Sequence, residues 1–300
     1  MKRFKKFIFL LGILISVVVV SIVSSKLVSN GFTEATRYNY FERNLKGISS
    51  FDQFKTVLSL ILLGAKGTFL IILSVGIVQY LLAVPLGFYA TNKNGIFKLL
   101  IIGFNGFFSR IPPIISAIIF INLPFVLFST GRFGWAIFIL AFIGVGQVSH
   151  RIYGESVDAY KTEFVEAGKK KGYRGIYLIL YCVFPVVFPS IASHFFKDLG
   201  KTTILLAQLG IFNIFISKKI NNTGLGFGQL LNTDYNWTTM LGNTTKVVVH
   251  APLAPLVPVL AFVLTIFLFN LMGESLQNRS KSKVESSSAI IENHTTVRSM

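Results

Sequence analysis

Three hundred residues that are 52% hydrophobic and 14% charged, with a mean hydropathy of +0.65, exclude a soluble domain, whose charged share is about 25%. The single cysteine, Cys182, excludes a disulfide framework and any multi-cysteine metal site. The formal net charge of +17 is carried by basic residues that apolar blocks separate. That pattern points to Lys and Arg retained at a cytoplasmic face beside anionic membrane lipid, with no nucleic acid as a partner.

The chain opens with MKRFKK and an apolar run from Phe7 to Val23. The run is longer than the ~7–15-residue core of a signal peptide, and no small-x-small cleavage site follows it. An uncleaved transmembrane helix is therefore expected over 1–24, with Lys2, Arg3, Lys5 and Lys6 inside. Residues 25–66 are mixed and polar, include Glu34, Glu42 and Asp52, and are expected outside the membrane. Further apolar runs lie at about 67–90, 98–128, 133–149, 184–216 and 249–272. Because ~20 apolar residues cross ~30 Å of hydrocarbon, they make five more spans. The 98–128 run, which contains Pro112, Pro113 and Pro124, is expected to be one kinked, tilted helix plus an interfacial segment. The fold class is thus an all-α membrane protein of six transmembrane helices, with the transmembrane domain over 67–278 and a disordered cytoplasmic tail over 279–300. With the N-terminus inside, both termini and the 150–185 loop are cytoplasmic. The outer segment 25–66 also carries six Lys/Arg, so charge bias alone orients the chain weakly.

Between spans four and five lies SHRIYGESVDAYKTEFVEAGKKKGYRGIYLILYCVFPVVFPS. Residues 153–171 suit a helix with Val157, Tyr160, Phe164 and Ala167 on one apolar face. Gly172 fits a C-terminal stop, and Lys169, Lys170 and Lys171 complement the helix dipole. A second short helix is expected over 173–181, running to Pro185. Two short helices joined at a glycine form a knob that a partner's groove can accept.

The spacing Glu166-Ala167-Gly168, three lysines, Gly172, nine residues, then Cys182-Val183-Phe184-Pro185 resembles the EAA motif of binding-protein-dependent ABC importer permeases. That motif runs Glu-Ala-Ala, three residues, Gly, nine residues, Ile-x-Leu-Pro. Glu166, Ala167, Gly172 and Pro185 fall in register; Gly168 replaces the second Ala, Cys182 the Ile and Phe184 the Leu. Phe164-Val165-Glu166-Ala167, Gly154-Glu155, Trp237-Thr238-Thr239-Met240-Leu241, Ala251-Pro252, Pro258 and Phe269-Asn270-Leu271-Met272-Gly273-Glu274 are similar to the peptide/nickel (oligopeptide and dipeptide) permeases. The N-terminal helix and outer loop resemble the C-type subunit of the permease pair. The family's Gly-Thr-Asp and Gly-Arg-Asp signals are not recognisable, and Gln208 stands where a Glu is usual.

The resemblance implies a type I ABC importer permease fold in a bacterial inner membrane, with Glu166, Ala167, Gly168, Gly172 and Pro185 coupling to an ATPase. It implies a second homologous permease subunit, two ATP-binding subunits and an extracytoplasmic substrate-binding protein as partners. Oligopeptides or dipeptides are the expected cargo, with nickel or metallophores as the alternative. No cofactor or resident metal is implied, and ATP hydrolysis belongs on a separate chain. Gly200-Lys201-Thr202 lacks the upstream glycine of a phosphate-binding loop, since Phe195 stands there.

His194, Lys197, Asp198 and Lys201 crowd two turns of span five, where ionisable groups are costly and face a bundle interior or a water-filled path. Asp198 is within helical reach of His194 and Lys201. These four, with Gln208, are the candidate lining of a translocation path; the alternative is a self-neutralising local pair. Glycines 76, 103, 106, 144 and 146 are expected to permit close helix approach. A self-contained secondary transporter would instead spread charge through several spans or show an inverted repeat. A peptide-sensing component is a third reading, which sequence does not separate from uptake. Co-purification with an ATPase pair and a second permease discriminates among them.

Overall fold

The computed structural model describes residues 2–28, 50–91, 95–214, 216, 218–222, 228–232, 236–246, 248, 252 and 254–298. Side chains are described within 7–22, 58, 61–91, 95–214, 216, 236–244, 248, 252 and 254–277. Most of the predicted outer segment 25–66 therefore lies outside the described side chains.

The elements run α1 (Lys2–Val28), α2 (Ser50–Tyr89), α3 (Gly95–Arg110), α4 (Pro113–Ile121), α5 (Pro124–Leu127) and α6 (Arg132–Ala159). Then come α7 (Glu163–Lys170), α8 (Gly175–Leu178), a π turn (Ile179–Val183), α9 (Phe184–Ile211), β1 (Lys218–Asn222), β2 (Gly228–Asn232), α10 (Trp237–Lys246) and α11 (Leu256–Arg298). Among the described residues four helical segments are long and apolar enough to cross a membrane: Ile61–Tyr89, Arg132–Ala159, Gly175–Ile211 and Leu256–Gln277. A bent pair, α3 with α4, makes a fifth, and Phe7–Ile22 is a shorter apolar helix.

Four expectations change. The 98–128 run is no tilted rod: α3 and α4 meet at 97°. Pro112 and Pro113 supply no N–H to a continuing ladder, and Pro113 instead opens α4 in its first turn. A two-stranded antiparallel ribbon, β1 against β2 with Lys218 opposite Asn232 and Asn222 opposite Gly228, qualifies the all-α class. Span four continues to Ala159 rather than stopping at residue 149. The last helix runs through Arg298, where an aperiodic tail is expected; no Gly or Pro after Gly273 interrupts it.

Two hydrophobic clusters hold the bundle together. The larger joins α1, α2, α3, α4, α6, α9, α10 and α11 through Leu14, Phe69, Phe108, Ile121, Leu140, Leu206, Met240 and Phe269. Trp237 ties α10 into it, donating from Nε1 to the Ile61 carbonyl at 2.7 Å and from its backbone N–H to Thr68 Oγ1 at 2.9 Å. The smaller cluster sits at the 150–185 end and joins α2, α6, α7, α8, the π turn and α9. Of the glycines flagged for close approach, Gly76 meets Leu199, Gly144 meets Gln79 and Gly146 meets the α3 backbone, whereas Gly103 and Gly106 have open space beside them.

Candidate functional site

The first candidate is the knuckle between α6 and α9. Residues 160–162 break the helix that the 153–171 pattern predicts, and this resets its phase. Phe164 and Ala167, expected on the apolar face, are exposed; Val165 and Gly168 are the buried residues of α7. Val165 is fully buried in the smaller cluster with Ile152, Ala159, Leu178 and Cys182. Glu163 and Glu166 occupy the first turn and Lys169 and Lys170 the last, an order that complements the helix dipole.

The stop at Gly172 is a complete left-handed cap. Gly172 has φ +93°, its N–H donates to the Lys169 carbonyl at 3.0 Å, and the Tyr173 N–H donates to the Gly168 carbonyl at 3.1 Å. A side chain there would strain the left-handed backbone. At Gly168 a Cβ would run into Cys182 Sγ. Two departures from the EAA pattern, Gly for Ala and Cys for Ile, thus face each other across one contact. Pro185 is exposed at the start of α9. Pro185 and Pro189 cannot donate to carbonyls one turn back, and the π turn precedes them, its Phe184 N–H bonding to the Ile179 carbonyl. Glu163, Phe164, Glu166, Ala167 and Lys170 are left facing outward.

The second candidate lies deeper, where the two hydrophobic clusters meet. Asp198, its side chain 6% exposed, accepts from Tyr80 Oη at 2.7 Å, from Arg151 Nη1 at 3.0 Å and from Lys201 Nζ at 2.9 Å. Three membrane-crossing segments, in α2, α6 and α9, therefore converge on one carboxylate. His194 does not join Asp198, as helical spacing allows; its Nε2 lies 3.1 Å from Glu155 Oε1, which Ser190 Oγ also reaches at 2.9 Å. Lys197 donates to Gln277 on α11.

His194, Lys197, Lys201 and Gln208 follow at intervals of three, four and seven residues, so they share one stripe of α9. Its last two members are exposed. The first three, with Arg151, Asp198 and Asn270, line a cleft of about 320 Å³; Gln208 stands about two turns beyond Lys201 and is not part of that wall.

Sequence reasoning misses Arg151, Tyr80, Glu155, Ser190 and Gln277. The apolar run stops near residue 149, which places Arg151 and Glu155 in the loop on sequence alone. Their i, i+4 spacing, matched by Asp198 and His194 at the same spacing with charges of opposite sense, is the signal that could have found them. Among the described residues no group of His, Cys, Asp and Glu could hold a metal ion.

The family model described as "Binding-protein-dependent transport system inner membrane component" matches residues 83–286, more than half of the chain. A curated relative, "Glutathione transport system permease protein GsiD" of Shigella dysenteriae serotype 1 (strain Sd197), is 25% identical over 146 residues. That alignment covers 49% of this chain and 44% of the relative, so the match spans less than half of the relative's length.

Proposed function

Since the chain belongs to the family of inner membrane components of binding-protein-dependent transport systems, we propose that it is one of two homologous permease subunits of an ATP-driven importer. In this reading six helices cross the membrane, counting α1 and the bent α3–α4 pair, with both termini and the α7 knuckle in the cytoplasm. The cargo is an oligopeptide or dipeptide, supported by the peptide-permease motifs and by the likeness to the distant glutathione transport permease. A binding protein delivers it at the opposite face.

The observation that carries the reading is the knuckle. A short helix closed by a glycine cap presents a charged and aromatic face outward while Val165 anchors it in the core of the spans. Two separate ATPase chains closing on ATP would push this face, and the movement would pass as a rigid body into α6 and α9. The α9 stripe of His194, Lys197, Lys201 and Gln208, with Asp198 beside it, then lines the path that opens alternately to either side.

Glu166→Lys should abolish uptake and ATPase co-purification while the chain still inserts and pairs with its partner permease. Gly172→Asp, which strains the left-handed cap, should do the same. Wild-type uptake in both variants would sink the coupling role.

A further inference from the structure

We propose that the cleft walled by Arg151, Lys197 and Lys201 is a recognition site for an anionic group, namely a carboxylate of the transported peptide. The proposal rests on the reading of α9 as the path.

The charge count points there. Arg151, Lys197 and Lys201 bring three positive charges to the wall, and Asp198 brings one negative charge. Asp198 is already shared by Arg151 and Lys201, with Tyr80 as a further donor. Lys197 has a neutral partner, Gln277. Glu155 brings a second negative charge nearby, outside the cleft wall and engaged through Oε1 by His194 and Ser190, so an excess of one positive charge remains. Uncompensated cations within a span are costly, and an anion entering the cleft would relieve that cost.

Geometry agrees with the charge. The Asp198 side chain is 6% exposed and Arg151 26%, while Lys201 is 62% exposed. Asp198 thus acts as a buried post that holds two cations in place, the Lys201 side chain largely exposed and its ammonium bonded to Asp198. Asn270 adds a neutral amide to the wall. A volume of about 320 Å³ falls at the lower end of the range for small-ligand sites. It admits a terminal carboxylate and its neighbouring residue rather than a whole oligopeptide. The same chemistry could be met by a lipid phosphate, so the test separates the two.

The complete importer, assembled in nanodiscs of phosphatidylcholine, is treated with an amine-acylating reagent, and modification of Lys201 is followed by mass spectrometry. Acetyl-dialanine and its C-terminal amide serve as probes. The free acid should slow acylation of Lys201 by about tenfold, as expected for charge-assisted hydrogen bonds, and the amide should not. Equal protection by both, or by neither, overturns the proposal. Protection that follows phosphatidylglycerol content and is indifferent to the acid assigns the site to a lipid headgroup and also overturns it.

Uptake by Lys201→Gln separates this inference from the path reading beneath it. That variant leaves Asp198 paired with Arg151 and Tyr80, and Lys201→Arg should restore uptake. Unchanged uptake in Lys201→Gln sinks the path reading. Reduced uptake without acid-selective protection removes the anion site alone.

Discussion

The knuckle and the cleft are carried by the same two helices, α6 and α9, yet they are built on opposite principles. Around α7 the contacts are apolar and close, with Val165, Cys182 and Leu178 buried and a glycine cap closing the helix. One cluster further in, the same helices meet through Asp198, Arg151, Tyr80 and Lys201, all polar. Close-packed interiors compress little and transmit displacement, whereas ion pairs can exchange partners as helices shift. On the proposed coupling role, a push on α7 would pass through this packing to the place where interactions between spans are easiest to rearrange.

The largest test of that contrast removes the shared carboxylate. Asp198→Ala leaves Arg151 inside the bundle without its carboxylate, and breaking such a buried pair costs about 3–5 kcal/mol. Thermal unfolding of the purified chain should show a severe drop in midpoint. The double variant Arg151→Met with Asp198→Leu, apolar on both sides, should recover most of the stability while uptake stays lost. Recovery of both would make the seam a structural pair with no part in transport.

The knuckle is tested next through Gly168 and Cys182. Alanine favours a helix over glycine by about 1 kcal/mol, but here its Cβ meets Cys182 Sγ, and overpacking costs about 1–3 kcal/mol. Gly168→Ala alone should therefore be neutral to destabilising. In a Cys182→Ala background the same change should turn stabilising. A sign that does not reverse in the double-mutant cycle would mean the knuckle yields, and the picture of a stiff lever would fail.

The legibility of these two regions in the sequence differs for a physical reason. The EAA spacing placed Glu166, Gly172 and Pro185 in a loop because local backbone chemistry is written in consecutive residues: a glycine needed at positive φ and lysines at a helix end. The inward face of α7 was misread because the break at 160–162 resets the helical phase, and no Pro or Gly announces it. Most of the spans were visible as apolar runs, with ends displaced wherever a polar stretch stays helical, as at 150–159. The 97° turn of α3 into α4 was only half legible: Pro112 and Pro113 mark a break but not its angle. The cleft was read from α9 alone, since helical periodicity reports neighbours on one helix. Tyr80 and Arg151, 118 and 47 residues from Asp198, are brought in by tertiary packing.

The smallest expected effect locates the border between the two regions. Glu155 lies one turn beyond Arg151 on α6, toward the knuckle, and pairs with His194 at 3.1 Å with both side chains a fifth to a quarter exposed. The pair is a single contact between partly exposed side chains, so its contribution should be about 1 kcal/mol, well below that of the Asp198 pair. Glu155→Gln keeps an oxygen that can accept from Ser190, leaving only the charge to be lost. The thermal midpoint should therefore barely move, and uptake should fall much less than in Asp198→Ala. If Glu155→Gln instead matched Asp198→Ala in both measurements, the electrostatic seam would extend to the edge of the knuckle, and its apolar core would not be what ties α6 to α9 there.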